Sequence, residues 1–275
     1  MSGLSDIGRK TPLLLIGCGK MGGALVTGWL ARGVDPAALI IVDPNKSTLP
    51  KLPKAIRVVA SRNALPDGLT PRAVLFAVKP QMMDGVVPDY AGFERCLYLS
   101  IAAGKPIGYF EQCLGTSARV IRAMPNTPAS VGRGMTVLVA GGAATKGDRV
   151  LASKLLEAAG AVDWIEDEAL MDAVTAVSGS GPAYVFYMIE CLAAAGEKAG
   201  LPADLAMKLA RETVSGAGEL ARRSEAGADV LRKNVTSPGG TTEAALKVLM
   251  ADSGLGKLMA RAVAAAKRRS RELAG

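Results

Sequence analysis

The segment 13–33 constrains the fold of this chain most strongly, because an apolar run leads into a glycine-rich turn and then into an amphipathic stretch. The run Leu13–Ile16 predicts a short buried strand, and Gly17, Gly19 and Gly22 follow it in the spacing GxGxxG. The stretch after these glycines has apolar residues at helical spacing and closes on a further glycine, which is typical of a helix end. A strand, a glycine turn and a helix in this order predict a dinucleotide-binding unit.

Each glycine of this turn has its own predicted role. Gly17 permits the tight turn, Gly19 lets the backbone approach a pyrophosphate, and Gly22 lets the helix pack close to the strand. The pyrophosphate would lie at the helix N-terminus, where unpaired N–H groups and the helix dipole favour negative charge. An ordinary glycine turn in another α/β protein is the alternative. The predicted cofactor contacts of the turn are Gly17, Cys18, Gly19, Lys20, Met21 and Gly22.

A second apolar run, Leu39–Val42, ends at Asp43, roughly 20 residues beyond the glycines, where a contact with a ribose hydroxyl is expected. A carboxylate at this point repels a 2′-phosphate and therefore favours NADH. Asn45, Lys46 and the basic charge of the chain would instead accommodate NADPH. These residues alone leave both cofactors open.

Further apolar runs predict strands at 58–59, 73–78, 96–101, 119–124, 135–140 and 162–165. Because helical stretches separate several of them, the pattern predicts an α/β fold with a Rossmann-type, doubly wound, mainly parallel sheet. Lys79 and Pro80 follow one of these strands, at the edge where ligands bind in open α/β sheets. From Glu166 onward the pattern is helical. We therefore predict two domains, a dinucleotide-binding domain at 1–166 and a helical domain at 167–275.

The chain contains no histidine. This absence excludes Ser-His-Asp and Cys-His nucleophile systems, histidine-ligated zinc and a histidine general base. No metal site is predicted. The four cysteines are scattered and form no CxxC pair, which predicts reduced thiols in a cytoplasmic protein.

The formal net charge is +8, and the densest basic run is Lys267–Arg271. A solvated helix end favoured by the helix dipole is the simpler interpretation of this run, and nucleic-acid binding is the alternative. We expect no nucleic-acid partner. The stretch 173–196 contains one charged residue, Glu190, but the SGSGP sequence within it argues against a membrane span. A helix buried within its domain and against a partner subunit is the better interpretation.

A late segment, Val235–Leu246, reads VTSPGGTTEAAL and predicts a glycine turn that opens a helix. Such a turn offers free backbone N–H groups together with the hydroxyls of Ser237, Thr241 and Thr242. These donors suit a small carboxylate. A plain helix N-cap is the alternative.

Taken together, these motifs resemble the pyrroline-5-carboxylate reductase family. The resemblance covers nearly the whole chain and is carried by the glycine turn, AVKPQ at 77–81, RAMPNTP at 122–128, the stretch from DAVT at 172–175 to SGSGPAY at 178–184, and VTSPGGTT at 235–242. The sequences SGSGPAY and SPGGTT at this separation are specific to the family, whereas the glycine turn is not.

The resemblance implies an N-terminal Rossmann domain and an all-helical C-terminal domain that forms the dimer, with dimers that often assemble into decamers. It also implies hydride transfer from NADPH or NADH to the C=N carbon of 1-pyrroline-5-carboxylate, which gives L-proline. Members of the family use either cofactor. NADPH is the more usual one in the family, so the resemblance slightly favours NADPH here.

The site residues follow from the same resemblance. The substrate carboxylate would be held by Ser237 and by the amides of Gly240, Thr241 and Thr242. The Thr242 hydroxyl would face the ring nitrogen, so Thr242 and Ser237 are the predicted catalytic residues. Glu168 matches an acidic position beside the substrate in some members. The further cofactor contacts would be Asn63, Ala77, Val78, Lys79, Pro80, Ala102, Ala103 and Asn126.

Two other functions remain open. A reductase of another imine or of a β-hydroxy acid would share the two-domain plan, but the β-hydroxy acid enzymes use a lysine after the domain junction, where this chain has SGSGP. A non-enzymatic protein that binds NADP(H) and uses Lys267–Arg271 against a partner would leave the SPGGTT turn unexplained.

Overall fold

The computed structural model describes residues 4, 7–45, 47, 49–93 and 95–274, so Lys46 lies outside the described residues. The chain divides into two compact units, one formed by Met1–Gly179 with Lys267–Gly275 and the other by Ser180–Ala266. This division falls later than the predicted boundary between residues 166 and 167. The reason is that Met171 is buried in the core of the first unit, which ties the segment after the sheet to that unit.

The first unit is built on one sheet of eight strands. They are β1 (Leu13–Ile16), β2 (Leu39–Val42), β3 (Arg57–Val59), β4 (Ala73–Phe76), β5 (Leu97–Ser100), β6 (Arg119–Met124), β7 (Gly134–Ala140) and β8 (Gly160–Trp164). The order is β3-β2-β1-β4-β5-β6-β7-β8, and every neighbouring pair is parallel except β6 and β7. The predicted Rossmann-type, mainly parallel sheet is confirmed.

The central strands are buried on both faces. All residues of β1, β2, β4 and β5 are buried, and along β1 Leu13 and Leu15 enter one apolar cluster while Leu14 and Ile16 enter the other. Successive side chains of a strand point to opposite faces, so a strand buried on both sides needs an unbroken apolar sequence.

Helices cover both faces of this sheet. They are α1 (Lys20–Ala31), α2 (Ile107–Leu114) and α3 (Lys146–Leu156). Trp29 of α1 is fully buried, and its Nε1–H donates to the Leu155 carbonyl at 2.7 Å. Gly28 lies so close to the Ala158 carbonyl oxygen that a methyl group at residue 28 would overlap with it. This close packing holds the C-terminal half of α1 against the end of α3 and the turn that follows it.

The pattern from Glu166 onward predicts helix, and residues 168–179 form three short elements. They are a 3-10 turn at Glu168–Leu170, α4 (Met171–Val174) and a π turn at Thr175–Gly179. A Cβ atom at Gly179 would lie 2.5 Å from Met124 Cε at the end of β6. The π turn therefore brings Gly179 close to the end of β6, at the carboxyl edge of the sheet.

The second unit is helical, as predicted. It contains α5 (Gly181–Lys198), α6 (Ala203–Arg223), α7 (Ala228–Asn234), α8 (Thr241–Leu249) and most of α9 (Leu255–Ala274). Of these, α7 is a short helix in which no residue is buried. Among the helices described, none has the length and apolar character needed to cross a membrane.

Candidate functional site

The glycine turn lies at the carboxyl edge of the sheet and is fixed there by backbone hydrogen bonds. The Gly17 N–H donates to the Val42 carbonyl at 2.8 Å, and the Ala77 N–H donates to the Ile16 carbonyl at 2.8 Å. The ends of β1, β2 and β4 are thereby held together. This is the edge at which open parallel sheets bind their ligands.

Gly17 has the backbone conformation that the sequence pattern requires. Its φ is +83°, and a Cβ atom there would lie 2.7 Å from Val78 Cγ1 and 3.0 Å from the Val78 nitrogen. A Cβ atom at Gly22 would lie 2.8 Å from the Gly17 carbonyl oxygen. The tight turn at Gly17 and the close helix packing at Gly22 are both confirmed.

The space in front of the N-terminus of α1 is open. Gly19 is the N-cap residue, is exposed, and has no atom within 4 Å of the position that a Cβ would occupy. No side chain caps this helix, and its first turn holds no acidic residue. The N-terminal N–H groups and the positive end of the helix dipole therefore face open space, which suits an anion.

Asp43 has a structural role in addition to the predicted contact with ribose. Its Oδ2 accepts the Cys18 N–H at 2.8 Å, and its Oδ1 accepts the Asn45 N–H at 2.9 Å. The carboxylate thus joins the glycine turn to the segment after β2. Burial, with a smaller effect of Asp43, raises the pKa of the Cys18 thiol to about 11, so this thiol is protonated at neutral pH.

The loops after β4 and β5 hold most of the other predicted cofactor residues. Ala77, Val78, Lys79 and Pro80 follow β4, while Ala102 and Ala103 follow β5. An ion pair joins the two loops, because Lys105 Nζ lies 2.6 Å from Asp84 Oδ1 and 4.3 Å from the centre of the Tyr109 ring. Asn63 is exposed in the turn after β3, at the same edge.

Asn126 has its side chain bound to the protein. Its Nδ2 donates to the Ser178 carbonyl and hydroxyl oxygens at 3.3 and 3.2 Å, and its Oδ1 accepts the Met135 N–H at 2.8 Å. These bonds join the end of β6, the start of β7 and the π turn. A contact of Asn126 with the cofactor would have to use its backbone or share these atoms.

Glu168 also has protein partners that sequence reasoning missed. Its Oε1 accepts from Arg122 Nη1 at 2.8 Å and from the Ile107 N–H, which opens α2, at 2.9 Å. The Arg122 side chain is buried, so this pair holds a charge that would otherwise lack a partner. The predicted contact of Glu168 with substrate stays a prediction, and it involves a carboxylate that already stabilises the fold.

The late turn has the predicted form in the second unit. Gly239 has a φ of +71°, Gly240 is the N-cap of α8, and a Cβ atom at Gly240 would lie 2.5 Å from Ser237 Oγ. The Gly240 N–H donates to the Ser237 carbonyl at 3.0 Å, so this amide is already used inside the turn. The amides of Thr241 and Thr242 are the better candidates for holding a carboxylate.

An acidic residue that the sequence analysis overlooked lies beside this turn. Glu243 Oε2 accepts the Gly239 N–H at 2.9 Å and lies 3.7 Å from Lys247 Nζ. Its spacing after Gly240 is that of the acidic residue in a capping box, which was the available signal. Across the described residues no group of His, Cys, Asp and Glu has the arrangement of a metal site.

Two family models match the chain. One, described as pyrroline-5-carboxylate reductase dimerisation, matches residues 168–273. The other, described as NADP oxidoreductase, coenzyme F420-dependent, matches residues 13–104.

Curated relatives and solved structures match over nearly the full length. The pyrroline-5-carboxylate reductase of Pseudomonas aeruginosa is 41% identical over 271 residues, which cover 96% of this chain and 98% of the relative. That of Pisum sativum is 40% identical over 260 residues, 94% of each chain. The reductase structure from Coxiella burnetii has a TM-score of 0.90 at 35% identity, covering 97% of this chain and 99% of that one. The Plasmodium falciparum pyrroline carboxylate reductase structure with NADP bound has a TM-score of 0.81 at 29% identity, with the same coverage.

The sheet, the glycine turn and the uncapped helix N-terminus define a Rossmann-type dinucleotide-binding protein. The similarity to the pyrroline-5-carboxylate reductase of Pseudomonas aeruginosa extends over nearly the full length of both chains, and it identifies the family within this class of dinucleotide-binding proteins. The chain belongs to the pyrroline-5-carboxylate reductase family.

Proposed function

We propose that this chain is an enzyme that reduces 1-pyrroline-5-carboxylate to L-proline with NADPH or NADH, by hydride transfer to the C=N carbon, as the last step of proline biosynthesis. The observation that carries the proposal is the similarity to pyrroline-5-carboxylate reductases across both compact units. Similarity confined to the sheet would have supported dinucleotide binding alone.

The first unit is proposed to hold the cofactor. The N-terminus of α1 suits the pyrophosphate, Asp43 suits a ribose hydroxyl, and the loops after β4 and β5 suit the nicotinamide half. When bound, the reduced nicotinamide supplies the hydride. The residues of the chain bind and orient it, and no side chain has to carry electrons.

The second unit is proposed to hold the substrate at the turn 237–242. The amides of Thr241 and Thr242, at the N-terminus of α8, and the exposed Ser237 hydroxyl offer donors to the carboxylate. The Thr242 hydroxyl is proposed to face the ring nitrogen. The negative charge of Glu243 disfavours an anion bound nearby. The Gly239 N–H and the Lys247 ammonium, which both face this carboxylate, offset part of that charge.

The proposed chemistry suits a chain without histidine. A cyclic imine is basic enough to be protonated, or nearly so, close to neutral pH, and a protonated imine accepts hydride readily. The enzyme therefore needs alignment more than a strong general acid, and alignment is the contribution that a carboxylate clamp and a hydroxyl donor make.

Thr242→Ala tests this assignment. We expect at least a tenfold loss of kcat/KM for pyrroline-5-carboxylate, with the melting temperature unchanged, because the Thr242 hydroxyl has its proposed role only towards substrate. Thr236→Ala is the matched control, since the Thr236 hydroxyl donates to the Arg232 carbonyl at 2.7 Å and stays within the protein. Wild-type kinetics in Thr242→Ala would remove Thr242 from the mechanism.

We further propose a homodimer formed through the helical unit, with decamers as a higher assembly. Support comes from Phe186 and Tyr187 of α5, which are 59% and 66% exposed in the single chain although they are large and apolar. A cytoplasmic location is proposed from the four cysteines, all of which are free thiols. Light scattering of the purified chain gives the subunit number directly.

For the cofactor we propose activity with both nucleotides and a slight preference for NADPH. Asp43 opposes a 2′-phosphate, but both of its oxygens accept backbone N–H groups, whose fixed dipoles offset part of the field of the carboxylate. Measuring kcat/KM for NADPH and NADH at saturating substrate tests the preference.

A further inference from the structure

The two loops proposed to hold the nicotinamide half of the cofactor are joined by a lysine outside the predicted site. The loop after β4 continues from Ala77 into a 3-10 helix, Pro80–Gly85. The loop after β5 carries Ala103 and then turns, with a φ of +73° at Gly104, before it reaches Lys105. Lys105 thus belongs to one loop, and its side chain extends to the other.

The Lys105 ammonium group is held on two sides. Its Nζ lies 2.6 Å from Asp84 Oδ1, near the end of the 3-10 helix, and 4.3 Å from the centre of the Tyr109 ring in the first turn of α2. The Lys105 side chain is only 20% exposed, so it differs from the freely solvated lysines usual at a protein surface. One cation therefore connects the loop after β4, the loop after β5 and α2.

Both partners of the ammonium group suit this connection. The Tyr109 ring packs edge-on against Phe110, with 5.1 Å between the ring centres, and Phe110 is fully buried. The hydrogen bond from Lys105 lowers the pKa of the Asp84 carboxyl from its ordinary value, so this carboxylate is ionised at neutral pH. An exposed ion pair by itself contributes little, but the aromatic face on the other side of the ammonium group adds a second attraction.

We propose that Lys105 is a positioning residue for the nicotinamide ring, because it fixes the loop after β5 against the loop after β4. This inference rests on the proposed function, in which both loops hold the nicotinamide half of the cofactor. Lys105 acts through the two loops and needs no contact with the cofactor. The separation of the loops determines where the ring lies, and a small displacement of the ring strongly lowers the rate of hydride transfer.

The first test measures the binding of NADPH alone and needs no substrate. Reduced nicotinamide fluoresces more strongly when its ring is immobilised, so the gain in fluorescence on binding reports how firmly the ring is held. In Lys105→Met we expect this gain to be about twofold smaller at saturation, with a dissociation constant within about threefold of wild type, because the pyrophosphate and ribose contacts are kept. An unchanged fluorescence gain in this variant would overturn the proposal.

Further variants separate positioning from a general loss of structure. Lys105→Arg keeps a cation for both partners and should restore the fluorescence gain, and a failure to restore it would overturn the proposal. Asp84→Asn changes an exposed side chain and should act in the same direction as Lys105→Met. Arg149→Met is the matched control and should have no effect. Arg149 also joins a carboxylate, Glu166 at 2.9 Å, to an aromatic ring, Trp164 at 4.6 Å, but beside the edge strand β8.

Steady-state kinetics distinguishes a failure of this inference from a failure of the proposed function. In Lys105→Met we expect kcat with pyrroline-5-carboxylate to fall about fivefold while KM for NADPH stays within about threefold of wild type, a split that general destabilisation would not produce. If the wild type does not reduce the imine, the proposed function fails, and the fluorescence comparison still tests the positioning role. Wild-type kcat in Lys105→Met, beside an active wild type, would overturn the inference alone.

Discussion

Two glycines of the turn meet different surroundings, and the same substitution should separate their roles. Gly17→Ala places a methyl group 2.7 Å from Val78 Cγ1 at a φ of +83°, so we expect it to destabilise the fold by about 1–3 kcal/mol. Gly19→Ala meets open space, so the fold should keep its stability while the methyl group occupies the approach of the pyrophosphate. Thermal unfolding and NADP⁺ titration of both variants check this.

A loss of stability in Gly19→Ala without a loss of NADP⁺ affinity would contradict the proposed position of the nucleotide. If Gly19→Ala kept wild-type NADP⁺ affinity, the space in front of α1 would not be where the pyrophosphate lies. The two alanine variants are each other's control, because they differ only in the surroundings of the added methyl group.

Asp43→Asn should shift cofactor preference towards NADPH. The substitution removes the charge that repels a 2′-phosphate, so we expect the ratio of kcat/KM for NADPH over NADH to rise several-fold. A stability cost of about 1–3 kcal/mol should accompany it, because the amide has one acceptor where the carboxylate serves the Cys18 and Asn45 N–H groups. An unchanged ratio of kcat/KM for NADPH over NADH would mean that the Asp43 carboxylate only accepts the two backbone N–H groups and does not affect the choice of cofactor.

Glu168→Gln separates the two roles of that carboxylate. Arg122 would lose its charged partner in a buried position, so we expect the free energy of unfolding to fall by about 1–3 kcal/mol. If Glu168 also contacts substrate, as the resemblance to the family implies, KM for pyrroline-5-carboxylate rises while kcat is kept. Chemical denaturation and steady-state kinetics measure the two effects, and wild-type stability would contradict the structural role.

At the scale of elements, the basic run near the C-terminus has a structural explanation. Ser270 is buried, and its hydroxyl donates to Asp172 Oδ1 at 2.7 Å, while Arg271 Nε lies 3.5 Å from Asp172 Oδ2. The last turn of α9 is thereby attached to α4. Part of the run predicted to be solvated is therefore bound to an acidic side chain within the first unit.

Ser270→Ala should lower the free energy of unfolding by about 1 kcal/mol, because Asp172 loses a donor in a partly buried position. Arg269→Ala is the control, since Arg269 pairs with the exposed Glu272 at 2.9 Å and such pairs contribute little. Chemical denaturation of both variants measures the difference. Equal stabilities would show that the attachment of α9 to α4 contributes nothing.

The elements that sequence reasoning predicted are those with a strong apolar pattern. The central strands are unbroken apolar runs because both faces are buried, and α5 and α6 are long. The π turn at Thr175–Gly179 carries no such pattern, and the hydrogen bonds of Asn126 and Glu168 reach partners 52 and 46 residues away. Hydrogen bonds between residues so far apart in the sequence depend on how the chain folds, so a local sequence pattern could not predict them.

At the scale of the whole molecule, buried acidic groups predict a loss of stability in alkaline solution. Burial raises the pKa of Cys18 to about 11 and the pKa values of Cys96, Tyr90 and Tyr98 to about 12, from ordinary values of 9.0 for cysteine and 10.0 for tyrosine. Above about pH 9 the unfolded chain releases protons that the folded chain retains.

The free energy of unfolding should therefore fall steadily from about pH 9 upward. Denaturation curves at several pH values on either side of this point test the prediction. A stability that stays constant through the range in which free cysteine and tyrosine ionise would mean that these side chains are not held neutral in the folded protein.

The most direct measurement is the oxidation of reduced nicotinamide by the purified chain with pyrroline-5-carboxylate as substrate, using NADPH and NADH in turn and quantifying the product. We expect one proline to form for each nucleotide oxidised, at a rate that falls when Thr242 is replaced by alanine. Oxidation that does not depend on the imine, or the absence of proline with both nucleotides, would contradict it.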